Sequence, residues 1–344
     1  MKLESKLDLL KKDLRFAAGL LQQRPFDCLI QVTNRCNLRC SFCDFWPNPA
    51  PPREELTVDE YRDLSAQLRE LGCFLISVEG GEPFLRQDLV EIVRAFSADH
   101  LPLLFTSGWY VTPENARALW DAGLWQASVS IDFAGAGDHD AKRGRPGTTE
   151  RAWRAVDLLR DSAPRGGLQV NVMSVLMESN WREMEPLFQA SAARGVGHMV
   201  TLLSTMGTRR RQGGDALPPP NVSDHMTSLF DRYPHIRFFR EYFERFDSFL
   251  TGGEMPTCRA GHQSFNIDHV GNVSSCIERI SKPVGNLRQD RLATLHRRLR
   301  SAQEQSEISS CQQCWTACRG LSQSMGKRGS LRSWRDLVTR MRAH

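Results

Sequence analysis

Residues 28–43 read CLIQVTNRCNLRCSFC: an apolar, β-branched run from Cys28 to Thr33 that breaks directly into a loop carrying Cys36, Cys40 and Cys43. The first half has the pattern of a buried strand, and the second is a loop at its carboxyl end. Five more such runs follow at helix-length intervals: Phe74 to Glu79, Leu103 to Thr106, Ala127 to Asp132, Val170 to Leu176 and His198 to Leu203. Between them lie segments of helical period with end signals. Thr57 opens TVDEYRDLSAQLRELG with Glu60 three residues on, and Gly72 closes it. Thr112 with Pro113, and Asn180 before a charged amphipathic run, open two more helices. Strands alternating with helices of this length imply βαβ units and a parallel sheet, because a parallel neighbour is reached only by a crossover. The fold class is α/β, an open or closed barrel. In such a barrel the carboxyl ends of the strands carry the chemistry.

Outside these units, residues 1–25 read as an amphipathic helix, without the apolar run and cleavage site of a secretory signal. Nowhere do 18 uncharged apolar residues run together, so no membrane-spanning helix is expected. Ten cysteines without a secretion signal point to a reducing, cytoplasmic setting in which thiols are available to metal. A hydrophobic content of 40% and a charged content of 25% are globular values and exclude a disordered or collagenous chain. The net charge of +5 is mild. Its tight run Arg209-Arg210-Arg211 is read as a solvated loop, which speaks against nucleic acid as a partner. The βα rhythm stops at Ser204 to Asn221, where Gly207, Gly213, Gly214 and Pro218 to Pro220 mark a linker. Ser223 to Leu250 is helical and aromatic-rich, a cysteine-marked region follows, and Ser330 to Ala343 reads as a basic amphipathic helix packed on the body.

Three thiolates in one compact loop can hold three irons of a [4Fe–4S] cluster, leaving the fourth iron open to a cofactor or substrate. A zinc site completed by a remote ligand is the alternative, but structural zinc draws on paired C-x2-C elements, whereas C-x3-C-x2-C is one contiguous loop. That spacing, with Phe42 before the last cysteine, resembles the signature of the radical S-adenosylmethionine (SAM) superfamily. The resemblance continues in order along the barrel. Glu79-Gly80-Gly81-Glu82-Pro83 ends the second strand and resembles the family's GGEP element. Ser107-Gly108 ends the third strand, and Ser130-Ile131-Asp132 the fourth, followed by His139-Asp140 and Arg143-Gly144.

The resemblance implies a partial (β/α)6 TIM-like barrel over residues 25–205, with residues 1–24 as an N-terminal helix. It implies a SAM-cleaving [4Fe–4S] cluster on Cys36, Cys40 and Cys43, and a SAM site drawn from Phe42, Gly80, Gly81, Glu82, Pro83, Ser107, Ser130, Asp132 and Arg143. Glycines let backbone approach a ligand closely, and Glu82 can accept from an ammonium. Asn171, Ser174 and Leu203 are read as packing more than as ligands. Cys28 and Cys73 are read as buried apolar residues.

A second set of thiols, Cys258, Cys276, Cys311, Cys314 and Cys318, ends in C-x2-C-x3-C. By chemistry alone it suits an iron–sulfur cluster or structural zinc. The run Gly271 to Cys276, followed by Pro283 to Leu287, resembles the auxiliary-cluster region called SPASM, or its shorter relative called twitch. This implies a C-terminal cysteine-rich auxiliary-cluster domain over 257–320, after a linker and helical segment at 206–256 and before a basic helix at 321–344. Five cysteines in place of the seven of a full SPASM region imply one auxiliary [4Fe–4S] cluster. Its ligands would be Cys258 and Cys276 with two of Cys311, Cys314 and Cys318, and the spacing leaves open which two.

The expected function is SAM cleavage to a 5′-deoxyadenosyl radical that takes hydrogen from a small polar metabolite or a peptide. The auxiliary cluster would assist electron transfer or substrate binding, and flavodoxin or ferredoxin would donate the electron. The 25 N-terminal residues are too short for a leader-binding domain, which favours a small molecule. An RNA-modifying relative would need a basic surface at the barrel mouth, and a non-enzymatic iron–sulfur or zinc scaffold has no use for the GGEP element. Glu278, Arg279, His262 and His269 are read as surface residues.

Overall fold

A computed structural model describes residues 3–47, 49–207, 215–325 and 331–340. The N-terminal helix α1 (Leu3–Leu21) precedes six strands: β1 (Asp27–Thr33), β2 (Leu75–Gly80), β3 (Leu101–Thr106), β4 (Gln126–Ser130), β5 (Val170–Leu176) and β6 (Gly197–Leu202). They lie side by side in chain order, every pair parallel. The crossovers are α2 (Val58–Leu71), α3 (Leu89–Ser97), α4 (Pro113–Asp121), α5 (Ala136–Arg143) with α6 (Thr148–Ser162), and α7 (Met184–Ala193). This is the partial (β/α)6 barrel of the expected α/β class.

The period of two divides the strands between two environments. Cys28, Ile30, Val32, Ile76 and Val78 face outward and bury against Leu64, Leu68, Ile92 and Phe96 of the helices. Asp27, Leu29, Ser77, Leu103, Gln126, Met173 and Thr201 face a cavity inside the barrel. Local signals end the helices as the sequence predicts. Thr57 and Glu60 form a reciprocal capping box on α2, Gly72 closes that helix, and Thr112 caps α4. Asn180 departs from its expected role. It caps nothing; its Nδ2 donates to the Asp132 and Val175 carbonyls and its Oδ1 accepts from Met177 N, so it ties the ends of β4 and β5 together.

Beyond β6 come α8 (Ser223–Arg232), α9 (Arg240–Glu244) and α10 (Phe246–Leu250), then β7 (Ser264–Ile267), β8 (Asn272–Ser274) and β9 (Gly285–Asn286). Four helices follow: α11 (Leu292–Leu299), α12 (Ala302–Ser309), α13 (Ala317–Met325) and α14 (Leu331–Arg340). The cysteine-marked region lacks βα rhythm, yet it does not form a sheet of its own. β7 pairs parallel to β1, from Asp27↔Ser264 to Ile30↔Ile267, and β8 and β9 add antiparallel, so one sheet runs β6-β5-β4-β3-β2-β1-β7-β8-β9. Arg288, whose Nε lies 2.6 Å from Glu60, and Leu292 N, which donates to Gln67, fasten the same region to α2. Arg209, Arg210, Arg211, Gly213, Gly214, Ser330 and residues 341–343 lie outside the described residues. No described helix is long and apolar enough to cross a membrane.

Candidate functional site

Because β1 to β6 are parallel, their carboxyl ends meet at one rim, and the loop of Cys36, Cys40 and Cys43 rises from β1 there. Its base is held by a buried carboxylate that sequence reasoning missed. Glu55 accepts from Thr33 Oγ1, from Arg35 Nε at 3.1 Å and from Arg86 Nη1 at 3.3 Å. Arg86 also donates to the Val32 and Leu56 carbonyls. The glycines after β2 press on the same loop. A Cβ on Gly80 would lie 2.0 Å from the Thr33 carbonyl oxygen, and one on Gly81 2.0 Å from that of Arg35. Their close approach is therefore to the cysteine loop itself, while both also line the barrel cavity.

Glu82 is fully buried and accepts four hydrogen bonds: Ser107 N at 2.8 Å, Ser107 Oγ at 2.6 Å, Thr106 Oγ1 at 2.8 Å and Phe84 N at 3.2 Å. A carboxylate has about four acceptor positions, so all are taken by protein donors, and Glu82 braces the end of β3. Burial pushes its carboxyl above the usual range, against these hydrogen bonds. Across the rim, Arg143 lies 2.6 Å from the Asp132 carboxylate, donates toward Cys40 Sγ at 3.9 Å and stands 5.3 Å from the Phe42 ring centroid. Burial opposes its charge, but Asp132 and Cys40 hold its pKa above the ordinary value. Backbone bonds from Arg39 N to Arg143 O and from Ser41 N to Lys142 O lay the loop along the end of α5. Gly144, with φ +69°, meets the Arg39 carbonyl there at a Cβ distance of 2.6 Å. Asp215 pins the loop from the other side through Ser41 Oγ and Lys142.

The barrel cavity has a volume of about 750 Å³. Of the predicted SAM-site residues, Phe42, Gly80, Gly81, Ser107, Ser130 and Arg143 line it together with Cys36, Cys40 and Cys43, whereas Glu82, Pro83 and Asp132 stand behind that wall. Ser174, bonded to the Ile131 carbonyl and His198, is buried packing, as are Asn171 and Leu203. Cys28 and Cys73 are buried and away from both cysteine groups' cavities. A second cavity, of about 420 Å³, is lined by Cys258, Cys276, Cys311, Cys314 and Cys318. The two cavities share Leu29, Ile277, Thr316 and Cys318. Glu278 and Arg279 line the second cavity instead of lying free on the surface.

The donors suit iron–sulfur clusters. All ten cysteines are free of disulfides, and thiolates are the ligands such clusters take. Among the described residues no three Cys, His, Asp or Glu side chains gather closely enough to grip one ion. The thiols line cavities of about 420 and 750 Å³, room for a cluster of several atoms. Burial pushes Cys36 up to about 12 and Cys40 to about 11, so iron uptake must release their protons.

A thiol loop at the carboxyl rim of a parallel barrel, next to a second thiol-lined cavity, defines a protein with the donors to hold iron–sulfur clusters. Residues 30–190 match the radical SAM superfamily, and residues 258–315 match the SPASM family, an iron–sulfur cluster-binding domain. The chain belongs to the radical SAM superfamily of enzymes and carries a SPASM-type C-terminal region. These domains imply [4Fe–4S] clusters and SAM as cofactors. The chain is 32% identical over 179 residues to the AdoMet-dependent heme synthase of Methanosarcina barkeri, covering 52% of this chain and 50% of that protein. It thus spans about half the length of that relative. To the mycofactocin maturase MftC of Mycolicibacterium smegmatis it is 28% identical over 327 residues, 89% of this chain and 79% of that one. Streptococcus suis SuiB bound to its precursor peptide SuiA shares the fold, with a TM-score of 0.64 at 14% identity over 88% of this chain and 71% of that one.

Proposed function

We propose that this chain cleaves SAM at a cluster held by Cys36, Cys40 and Cys43, and takes hydrogen from a peptide side chain presented into the barrel cavity. When bound, the cluster supplies the electron that breaks the sulfonium C–S bond. Phe42, Gly80, Gly81, Ser107, Ser130 and Arg143 line the space for SAM, while Glu82, Pro83 and Asp132 hold that lining in place. The observation that carries the reading is the wall shared by the two cavities through Leu29, Ile277, Thr316 and Cys318. Cys258, Cys276, Cys311, Cys314 and Cys318 would hold an auxiliary cluster on the far side of that shared wall, where it would supply an electron acceptor for the substrate. The match to MftC along most of both chains, and apolar walls such as Leu103, Phe105, Met173 and Met199, favour a peptide. A small polar metabolite is the second reading, favoured by Asp27, Glu79 and Gln126 in the same cavity. A flavodoxin or ferredoxin in a reducing cytoplasm fits ten free thiols.

The test is anaerobic reconstitution with iron and sulfide, then reductant and SAM, with 5′-deoxyadenosine as readout. About eight irons per chain are expected, falling to about four with nucleoside formation abolished in a Cys36/Cys40/Cys43→Ala variant. Zinc in place of iron, with no nucleoside formed, would refute the reading. Deuterium passing into 5′-deoxyadenosine from a labelled peptide, and not from labelled metabolites, separates the two substrate classes.

A further inference from the structure

Around the loop of Cys36, Cys40 and Cys43 the basic side chains are of two kinds. Arg35 pairs with Glu55 at 3.1 Å, Arg143 with Asp132 at 2.6 Å, and Lys142 with Asp215. Arg39, Arg145 and Arg151 have no carboxylate partner among the described residues, and each lies against an indole ring instead. The Arg39 guanidinium stands 5.8 Å from the Trp46 ring centroid, and those of Arg145 and Arg151 stand 3.6 and 4.3 Å from that of Trp109. Stacking of this kind holds a guanidinium in place yet leaves its edge donors free to meet an acid. The patch is tied to the loop itself. Arg145 Nη1 donates to the Asn37 carbonyl at 3.3 Å, and Trp46 Nε1 to the Cys40 carbonyl at 3.3 Å. Arg39 is exposed between Leu38 and Cys40, and Arg151 is exposed on α6.

None of these residues lines the barrel cavity, although their neighbours Leu38, Phe42 and Arg143 do. Trp109 packs on the apolar group of Leu38, Cys40 and Phe42. The patch is therefore an outer face of the cysteine loop, where a partner comes close to the thiols without entering the cavity. A nucleic acid is drawn by the same charges and rings, but as a substrate it must place a base inside the cavity, which the patch does not line. We propose that Arg39, Arg145 and Arg151, set on Trp46 and Trp109, form the docking surface for an acidic protein that carries single electrons. The inference rests on the reading that a cluster held by Cys36, Cys40 and Cys43 cleaves SAM, which consumes one electron from outside the chain. The carrier is oxidised by one electron, the cluster is reduced by one, and no proton or bond moves at the contact. Surface charges of one sign act mainly on encounter, so they speed association with an acidic carrier, and salt screens them.

The experiment compares reductants, with 5′-deoxyadenosine formation as one readout and binding as the other. In the full reconstituted chain, Arg39→Glu/Arg151→Glu should lower the rate driven by an acidic flavodoxin about tenfold at low salt, and leave the dithionite-driven rate within about twofold. Arg145 is kept because it holds the Asn37 carbonyl. Calorimetric titration of the chain without iron by oxidised flavodoxin should show a Kd weaker by about tenfold in the double variant. Arg62→Glu/Arg117→Glu makes the same charge change on α2 and α4 and should alter neither readout. A double variant that matches wild type in flavodoxin-driven rate and in Kd overturns the docking surface. An equal loss in the control pair also overturns it, since the effect is then one of net charge. Lost binding of a single-stranded oligouridylate, with the flavodoxin response unaltered, overturns it in favour of nucleic acid. If wild type forms no 5′-deoxyadenosine with dithionite, the SAM-cleaving reading fails, while the flavodoxin titration still decides the surface.

Discussion

Replacing Gly81 by alanine asks whether the turn after β2 is built to seat the cysteine loop. A methyl group there would fall 2.0 Å from the Arg35 carbonyl oxygen, 2.5 Å from its carbon and 3.0 Å from the Asn34 carbonyl carbon. Carbon–oxygen contacts begin near about 3.3 Å, so the two stretches of backbone must part by more than about 1 Å. Neither side is a flexible side chain that can swing away. Such a shift breaks the bond from Glu82 N to Arg35 O and strains that from Gly81 N to Thr33 O, each 2.8 Å. Overpacking costs about 1–3 kcal/mol, and each buried hydrogen bond lost adds about 1 kcal/mol. The sum, about 2–4 kcal/mol, falls on the register between β2 and the loop of Cys36, Cys40 and Cys43. Thermal unfolding should drop by roughly 3–6 °C, and iron at that loop should be lost while auxiliary iron is kept. Gly137→Ala is the control: it lies in α5 with nothing within 4 Å of the added methyl, and should gain up to about 1 kcal/mol of stability. Wild-type iron content and 5′-deoxyadenosine formation in Gly81→Ala would refute the coupling of turn to loop.

Asp27 lines the barrel cavity, and burial, with Glu79 nearby, raises its carboxyl from 3.8 to about 7. The folded state then binds the extra proton between those values, so stability falls as pH rises from about 4 to 7. Asp27→Asn should remove that slope and stabilise the protein at pH 8 by up to about 4 kcal/mol, as read by urea unfolding across pH; an unchanged slope contradicts the assignment. Arg143→Ala strips the partner from fully buried Asp132 and should cost about 3–5 kcal/mol. Arg143→Lys, keeping charge without the fork, should fall between, and equal stability of all three proteins would show that the pair does not hold the rim. Glu82→Gln turns an amide NH2 toward Ser107 N and Oγ or toward Phe84 N and Thr106 Oγ1, a donor against donors either way. It should lower thermal stability by about 2–4 kcal/mol. A weaker SAM Kd with unaltered stability would instead make Glu82 a direct acceptor for SAM.

Strands β1 to β6 are legible because their signals are local: β-branched runs, a capping box at Thr57 and Glu60, and a closing Gly72. β7 is not, since it is four residues whose pairing partner, β1, is distant in the chain and leaves no periodicity to count. The glycines after β2 are legible as places of close approach, but what they approach, the carbonyls of Thr33 and Arg35, depends on the parallel pairing of β1 with β2. Glu55 and Arg86 form the base of the loop from a pre-helical turn and a strand-end turn, and no spacing rule joins them. Glu278 reads as surface because it begins a charged Glu-Arg pair. Its burial comes from the loop at Gly207, a contact between the end of the barrel and the auxiliary region. The nearby signal was Cys276 followed by Ile277, a thiol and an apolar residue that both line the second cavity.

That same strand arrangement sets how the two thiol sites stand to one another. β1 delivers the loop of Cys36, Cys40 and Cys43 from its carboxyl end, and its free edge receives β7, which leads through β8 to Cys276. Leu29, at the middle of β1, lines both cavities. The separation of the sites is therefore fixed by hydrogen-bonded register, in steps of about 3.3 Å per residue, and not by the linker after β6. A slip of one residue between β1 and β7 would turn every side chain of β7 to the opposite face, so the register that buries Phe265 and Ile267 in the core also holds the auxiliary thiols against the barrel. Packing of the core and the spacing of the two thiol-lined cavities are thus decided by one pairing.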